Sequence, residues 1–215
     1  GTQAYAGTRG GGAIQLLGSE QATLKLLGNV DVSADDAGGN VYAGGAGGTF
    51  YVSGFERVWI GGEVLANGGT HGLADSGSGG GGAIAIKDYV DLNVVGDVES
   101  CGGQGAHPGG HGTFYRRPRG ETSGTLQVGL GCDAASTAMP TTLYHMTVDL
   151  ESHTEQISQV WVENGLVRFK AETQLDGLRL AAGASARNDT QLTVGELNEN
   201  AMMPGAVLIN RGDLS

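Results

Sequence analysis

Cys101 and Cys132 are the only two cysteines of this 215-residue chain, and they stand 31 residues apart. That separation nearly equals the 30 residues between Gly82 and Gly112, which are equivalent points of a repeat described below. Residues one repeat apart on stacked strands lie about 4.8 Å from each other. A disulfide accepts Cα separations of about 4.4–6.8 Å. A Cys101–Cys132 disulfide is therefore expected, and with it an oxidising, extracellular setting.

Other side chains invite chemistry with less support from their spacing. Asp35 and Asp36, close to Gly38 and Gly39, are Ca2+ candidates, and Asp31 and Asp75 also lie near glycine runs. None fits the tandem Gly-Gly-x-Gly-x-Asp pattern of calcium-binding nonapeptides, so no cofactor is assigned. His107 and His111 are four residues apart, but the Pro108-Gly109-Gly110 spacer is not helical and no third ligand accompanies them. An exposed loop is expected there, and no metal centre. Arg116-Arg117-Pro118-Arg119 is the one basic concentration, expected as a solvated turn. A lyase needs a base beside clustered carboxylates, and a glycosidase needs two converging ones. Nothing in the sequence assembles either, so no catalytic residue is assigned and no enzyme is expected.

Three features could bind rather than react. Trp59, Tyr51 and Tyr115 could form a sugar-binding platform if they face outward; stacking in the core is the alternative. Strand alternation sends Phe50 and Tyr51 to opposite faces. Arg211-Gly212-Asp213 matches the integrin-recognition tripeptide, and Asn188-Asp189-Thr190 has the form of a glycosylation acceptor.

These residues must be positioned by a chain that is unusually rich in glycine. There are 41 glycines but only four prolines, with no Gly-X-Y period, which excludes collagen. Val, Ile and Leu recur in short alternating strings between the glycines, which a flexible linker would lack. The net charge of −11 disfavours binding to nucleic acid or to anionic lipid, and no apolar run of about 18 residues exists to insert in a membrane. Residues 1–120 hold 32 of the glycines and residues 121–215 hold nine.

The glycines mark a repeat. A Gly-Gly or His-Gly pair before a β-rich string recurs at Gly12, Gly48, Gly82 and Gly112, with steps of 36, 34 and 30 residues. A second marker recurs at Gly28, Gly62 and Gly96, both steps being 34. Each unit carries three strand-like strings and then a glycine loop. No helical stripe is present. Later, Thr-Gln-Leu recurs at 173–175 and 190–192, a step of 17. The expected fold is all-β: a right-handed parallel β-helix, or β-solenoid, with coils of about 34 residues over 1–125. Shorter, glycine-poor coils continue the same solenoid over 126–215. Ile14, Ile84, Leu92, Val94 and Val98 are expected at or near the core. A sandwich with glycine loops is the alternative fold.

The strings Gly79-Gly-Gly-Gly-Ala-Ile-Ala-Ile86, Gly96-Asp-Val-Glu-Ser-Cys-Gly-Gly103 and Gly110-His-Gly-Thr-Phe-Tyr115 resemble the Gly-rich repeats of very large bacterial cell-surface and secreted proteins. The resemblance covers residues 11–130; position 83 carries Ala where that group more usually has Arg. The rest is similar in style to autotransporter-like and haemagglutinin-like passengers. It implies an adhesin, stalk or surface layer without shared catalytic residues. The expected function is a non-enzymatic extracellular structural or adhesive segment: a rod, a filament subunit or an adhesin stalk. Its expected partners are surface polysaccharide, other cells or copies of itself, end to end or as a trimer. The sequence ends without a capping signature, so further coils or a neighbouring subunit are expected beyond Ser215. A carbohydrate-active β-helix, lyase or glycosidase, and a phage tail-spike-like receptor-binding protein remain the alternatives.

Overall fold

Short alternating strings bury one face each, and such faces are covered only when equivalent strings stack. The computed structural model describes residues 8–37, 43–71, 76–132, 141–143, 147–150, 153–170, 173–196, 202–211 and 213–214. It is all-β, with no helix among the described residues, and accordingly no helix long and apolar enough to cross a membrane. The first repeat supplies β1 (Ala13–Leu17), β2 (Thr23–Leu26) and β3 (Val30–Asp31). The second supplies β4 (Thr49–Ser53), β5 (Arg57–Ile60) and β6 (Val64–Leu65). The third supplies β7 (Ala83–Tyr89), β8 (Asp91–Val94) and β9 (Val98–Glu99), and β10 (Thr113–Pro118) opens a fourth. Equivalent strands pair in parallel, in the orders β1-β4-β7-β10, β2-β5-β8 and β3-β6-β9. Val30 stands beside Val64 and Val64 beside Val98, the 34-residue step of the glycine markers.

Alternation sorts the side chains. Phe50, Val52, Val58, Ile60, Val64, Ile84, Ile86, Val98 and Phe114 share one buried core. Of the expected core residues, Ile84 and Val98 are buried and Leu92 is half-buried. Ile14 and Val94 depart from expectation, at 37% and 36% exposed. Both sit on strands paired on one side only, β1 and β8. The last rung of a ladder has no next rung to cover it.

The glycine runs pack backbone on backbone. The Gly69 N–H donates to the Gly45 carbonyl at 2.8 Å, Gly79 to Gly69 at 2.9 Å, Gly103 to Gly79 at 2.8 Å and Gly109 to Gly103 at 2.9 Å. A Cβ on Gly79 would overlap the Gly45 carbonyl, and one on Gly103 the Gly69 carbonyl. The composition is thus a packing requirement, because any side chain would push these layers apart.

The parallel order breaks after β10. Residues 119–122 are too few for the crossover that a parallel neighbour needs. Gly120, at φ +83, takes a turn conformation that costs other residues energy. So β11 (Ser123–Val128) returns antiparallel to β10, Thr113 facing Val128 and Arg116 facing Thr125. This return departs from the expected continuation of parallel winding. Next come β12 (Thr141–Leu143), β13 (Thr147–Leu150), β14 (His153–Val162), β15 (Leu166–Phe169) and β16 (Thr173–Leu180). The last are β17 (Ser185–Asn188), β18 (Gln191–Glu196), β19 (Val207–Asn210) and β20 (Asp213–Leu214). Strands β11, β14, β16, β18 and β20 extend the large sheet in parallel, β13 pairs antiparallel with β14, and β12, β15, β17 and β19 form a second parallel sheet. Val128, Val160, Val162, Phe169, Leu178 and Leu180 belong to their common core. The Thr-Gln-Leu step of 17 is not the register: Thr173 faces Leu192 and Leu175 faces Val194. The slip is by two residues, which preserves the faces, and Leu175 and Leu192 are both buried.

Candidate functional site

Val160 and Val162 are buried, so the residue between them must point away from the core. That residue is Trp161. Its neighbours in register are Gln127 on β11 and Arg179 on β16. Two guanidiniums lie against its ring, Arg116 with its central carbon 4.7 Å from the centroid and Arg179 at 5.5 Å. Such contacts contribute about 0.5–2 kcal/mol each, depending on desolvation. Neither guanidinium makes a hydrogen bond or ion pair to another described residue. Their donors are therefore available to a ligand.

Trp161 and Arg116 line an open groove of about 480 Å³, with Tyr89, Glu121, Gln159 and Asp176 among the other walls. Burial raises the Tyr89 phenol above its ordinary pKa, against the opposing pull of Arg116, so it remains a neutral donor at physiological pH. Arginine matches a carboxylate or sulfate with paired N–H donors. Gln159, Tyr89 and the exposed carboxylates of Glu121 and Asp176 offer partners for hydroxyls. The groove is thus chemically suited to an anionic saccharide.

The residues singled out in the sequence are dispersed. Tyr51 points outward and is half-buried, while Phe50 is in the core; Tyr115, on the strand face opposite the buried Phe114, packs against the second core with its hydroxyl buried. Lys87 Nζ lies 4.9 Å from the Tyr51 ring and Lys25 Nζ 5.4 Å from the Trp59 ring. Trp59 and Tyr51 belong to different sheets, so no joint platform forms. Tyr115 comes nearest to the groove, because its hydroxyl lies against the groove-lining Gly124. Asp36 accepts the Thr70 N–H at 2.7 Å, and Asp35 and Asp36 are both exposed. Among the described residues neither belongs to a group of three metal-ligating side chains. Asp75 and Gly212 lie outside the described residues, as does the Asp213 side chain; Arg211 is exposed and its N–H donates to the Asn188 carbonyl.

Three expectations need correction. The arginine run is a clamp and not a solvated turn. Arg117 pairs with Asp88 at 2.7 Å, while Arg119 donates to the Asp88 and Glu20 carbonyls at 3.2 and 3.3 Å. Asn188 is fully buried and bonded to Thr190 in both directions, so it cannot accept a glycan in the folded chain. His111 is not in an exposed loop: it is 4% exposed, although His107 is exposed.

Cys101 and Cys132 form the expected disulfide, with a Cα separation of 5.4 Å. The path between them differs from the expected one. Cys132 returns to Cys101 through the β10–β11 hairpin and not along another glycine-rich unit. Trp161 and Arg179 were not found from sequence; the signal was the Val-Trp-Val alternation, which requires an outward indole. Comparison with protein-family models, curated proteins and solved structures finds no match to this chain.

Proposed function

We propose that this chain is a non-enzymatic, extracellular adhesive segment: a rod of parallel β-helix whose groove at Trp161 holds an acidic surface polysaccharide. The observation that carries the reading is Trp161 with Arg116 and Arg179 against its ring, two guanidiniums with no hydrogen bond or ion pair among the described residues. The helical winding is supported by three parallel ladders with matched register, and its right hand by the crossover rule. The disulfide supports an oxidising location. The resemblance of residues 11–130 to Gly-rich bacterial surface repeats agrees with a stalk or adhesin. Binding is local: the chain is acidic as a whole, so the arginine pair must act at contact range, and added salt weakens it.

Isothermal titration with uronate oligosaccharides, against neutral oligosaccharides of equal length, tests this. Uronates should bind and neutral chains should not. Equal or absent binding of both overturns the reading.

The alternative of a carbohydrate-active enzyme has one observation in its favour, since Glu121 and Asp176 share the groove. Both are exposed, however, and open to water. Reducing-end release from the same oligosaccharides, abolished in Glu121→Gln or Asp176→Asn, would establish the enzyme instead.

A further inference from the structure

His111 packs against the disulfide. One ligand atom each from Cys101, His111 and Cys132 lie within 4.8 Å of one another. We propose that reduction of this disulfide converts the junction into a three-ligand site for Zn2+ or a similar thiophilic cation, held by the two sulfurs and a His111 ring nitrogen. This inference is independent of the saccharide groove.

The ligand types fit. Thiolate and imidazole are the common ligands of tetrahedral zinc, at about 2.3 and 2.0–2.1 Å. Two thiolates and a neutral imidazole balance a divalent charge, and three protein ligands leave the fourth position for water. The half-buried cysteines give that position access to solvent, while the buried histidine closes the inner side.

The backbone around each ligand is also held by bonds that do not involve the S–S bond. The Cys101 N–H donates to Asn67 Oδ1 at 2.7 Å, and its carbonyl accepts the Gly68 N–H at 2.8 Å. The Cys132 N–H donates to the Gly129 carbonyl at 3.2 Å, and the Cys132 carbonyl accepts Asn164 Nδ2–H at 3.1 Å. The Gly112 N–H, next along the chain from His111, donates to the Ser100 carbonyl at 2.5 Å; His111 Nδ1 accepts the Gly102 N–H at 3.2 Å, and an ion ligated at Nδ1 replaces that bond. Opening the disulfide therefore leaves the three side chains within reach of one ion.

The step balances with a phosphine as reductant. The S–S bond breaks, the phosphine is oxidised to its oxide with oxygen from water, and the two protons of that water end on the sulfurs. Metal entry then displaces both thiol protons to solvent.

The experiment uses phosphine-reduced whole chain titrated anaerobically with Co2+, then with Zn2+ against a chromophoric chelator. About one equivalent of Co2+ should bind, giving thiolate charge-transfer and tetrahedral d–d bands, and Zn2+ should displace it. The oxidised chain should give neither band. His111→Ala, kept folded by the strand signal in circular dichroism, should bind more than about tenfold more weakly, since even second-shell losses cost 10–100-fold. Cys132→Ser provides a second variant and should lose the same bands. A reduced chain that shows no tetrahedral band overturns the proposal, whether or not it stays folded. So does a His111→Ala chain that binds as tightly as the parent.

Discussion

At Trp161 the decisive feature is what its two arginines do not do. Four of the nine arginines bond inside the protein: Arg117 to Asp88, Arg119 to the Asp88 and Glu20 carbonyls, and Arg168 and Arg187 to Asp189. Among the described residues Arg116 and Arg179 instead lie against the Trp161 ring, with no carboxylate bonded to either. Trp161→Ala and Arg116→Ala should each weaken uronate binding by about tenfold or more, near 1.4 kcal/mol, without changing the melting temperature appreciably. Titration calorimetry beside a thermal melt checks both halves. Asp88 carries a separate test. Burial raises its pKa, but hydrogen bonds from Ser53 and Arg117 and the charge of Arg117 outweigh this, so the folded value lies below the ordinary one. A depressed carboxylate stabilises the fold above its unfolded pKa of about 4, and that contribution disappears as pH falls through the folded value. Asp88 has φ 55, which asparagine tolerates, so Asp88→Asn removes the charge without a backbone penalty. It should melt below the parent at neutral pH and converge with it in acid. The outward Tyr51 was legible from alternation, whereas Tyr115 faces the second core, which alternation on one strand does not reveal. The groove was not, because its walls come from β7, β10, β11, β14 and β16, which no local pattern joins.

Among the elements, the glycine layers and the β10–β11 hairpin decide the most. Gly79→Ala forces a methyl group onto the Gly45 carbonyl and should destabilise by about 1–3 kcal/mol, as overpacking does. Gly12→Ala meets nothing within 4 Å and should stay within about 0.5 kcal/mol of the parent. Chemical denaturation of the pair separates a packing role from mere flexibility: equal effects would contradict the layered arrangement. The strands and their 34-residue step could be read from the glycine spacing because each marker sits at the same turn of every unit. The hairpin could not, since Gly124-Thr-Leu-Gln-Val128 looks like the next string of the repeat and only the short 119–122 link distinguishes return from crossover. The disulfide was predicted correctly by a register that the chain reaches in another way. It ties the end of the glycine-rich units to the end of the hairpin. Cys101→Ser with Cys132→Ser should lower stability by roughly 3 kcal/mol in the chain-entropy account, measured by denaturant unfolding without reductant.

For the molecule as a whole, the account joins a stacked β frame to one charged aromatic groove. The frame explains why glycine is so abundant, why the buried ladders recur, and why the outward positions are free to carry function. The central claim is that the groove recognises an acidic polysaccharide and leaves it intact. A glycan array probed with the parent chain and with Trp161→Ala in parallel tests this most directly. The account predicts parent signal confined to uronate-bearing or sulfated glycans, lost in the Trp161→Ala chain, with the bound glycans unshortened. Signal that is the same for both chains, or absent on every acidic glycan, would contradict it.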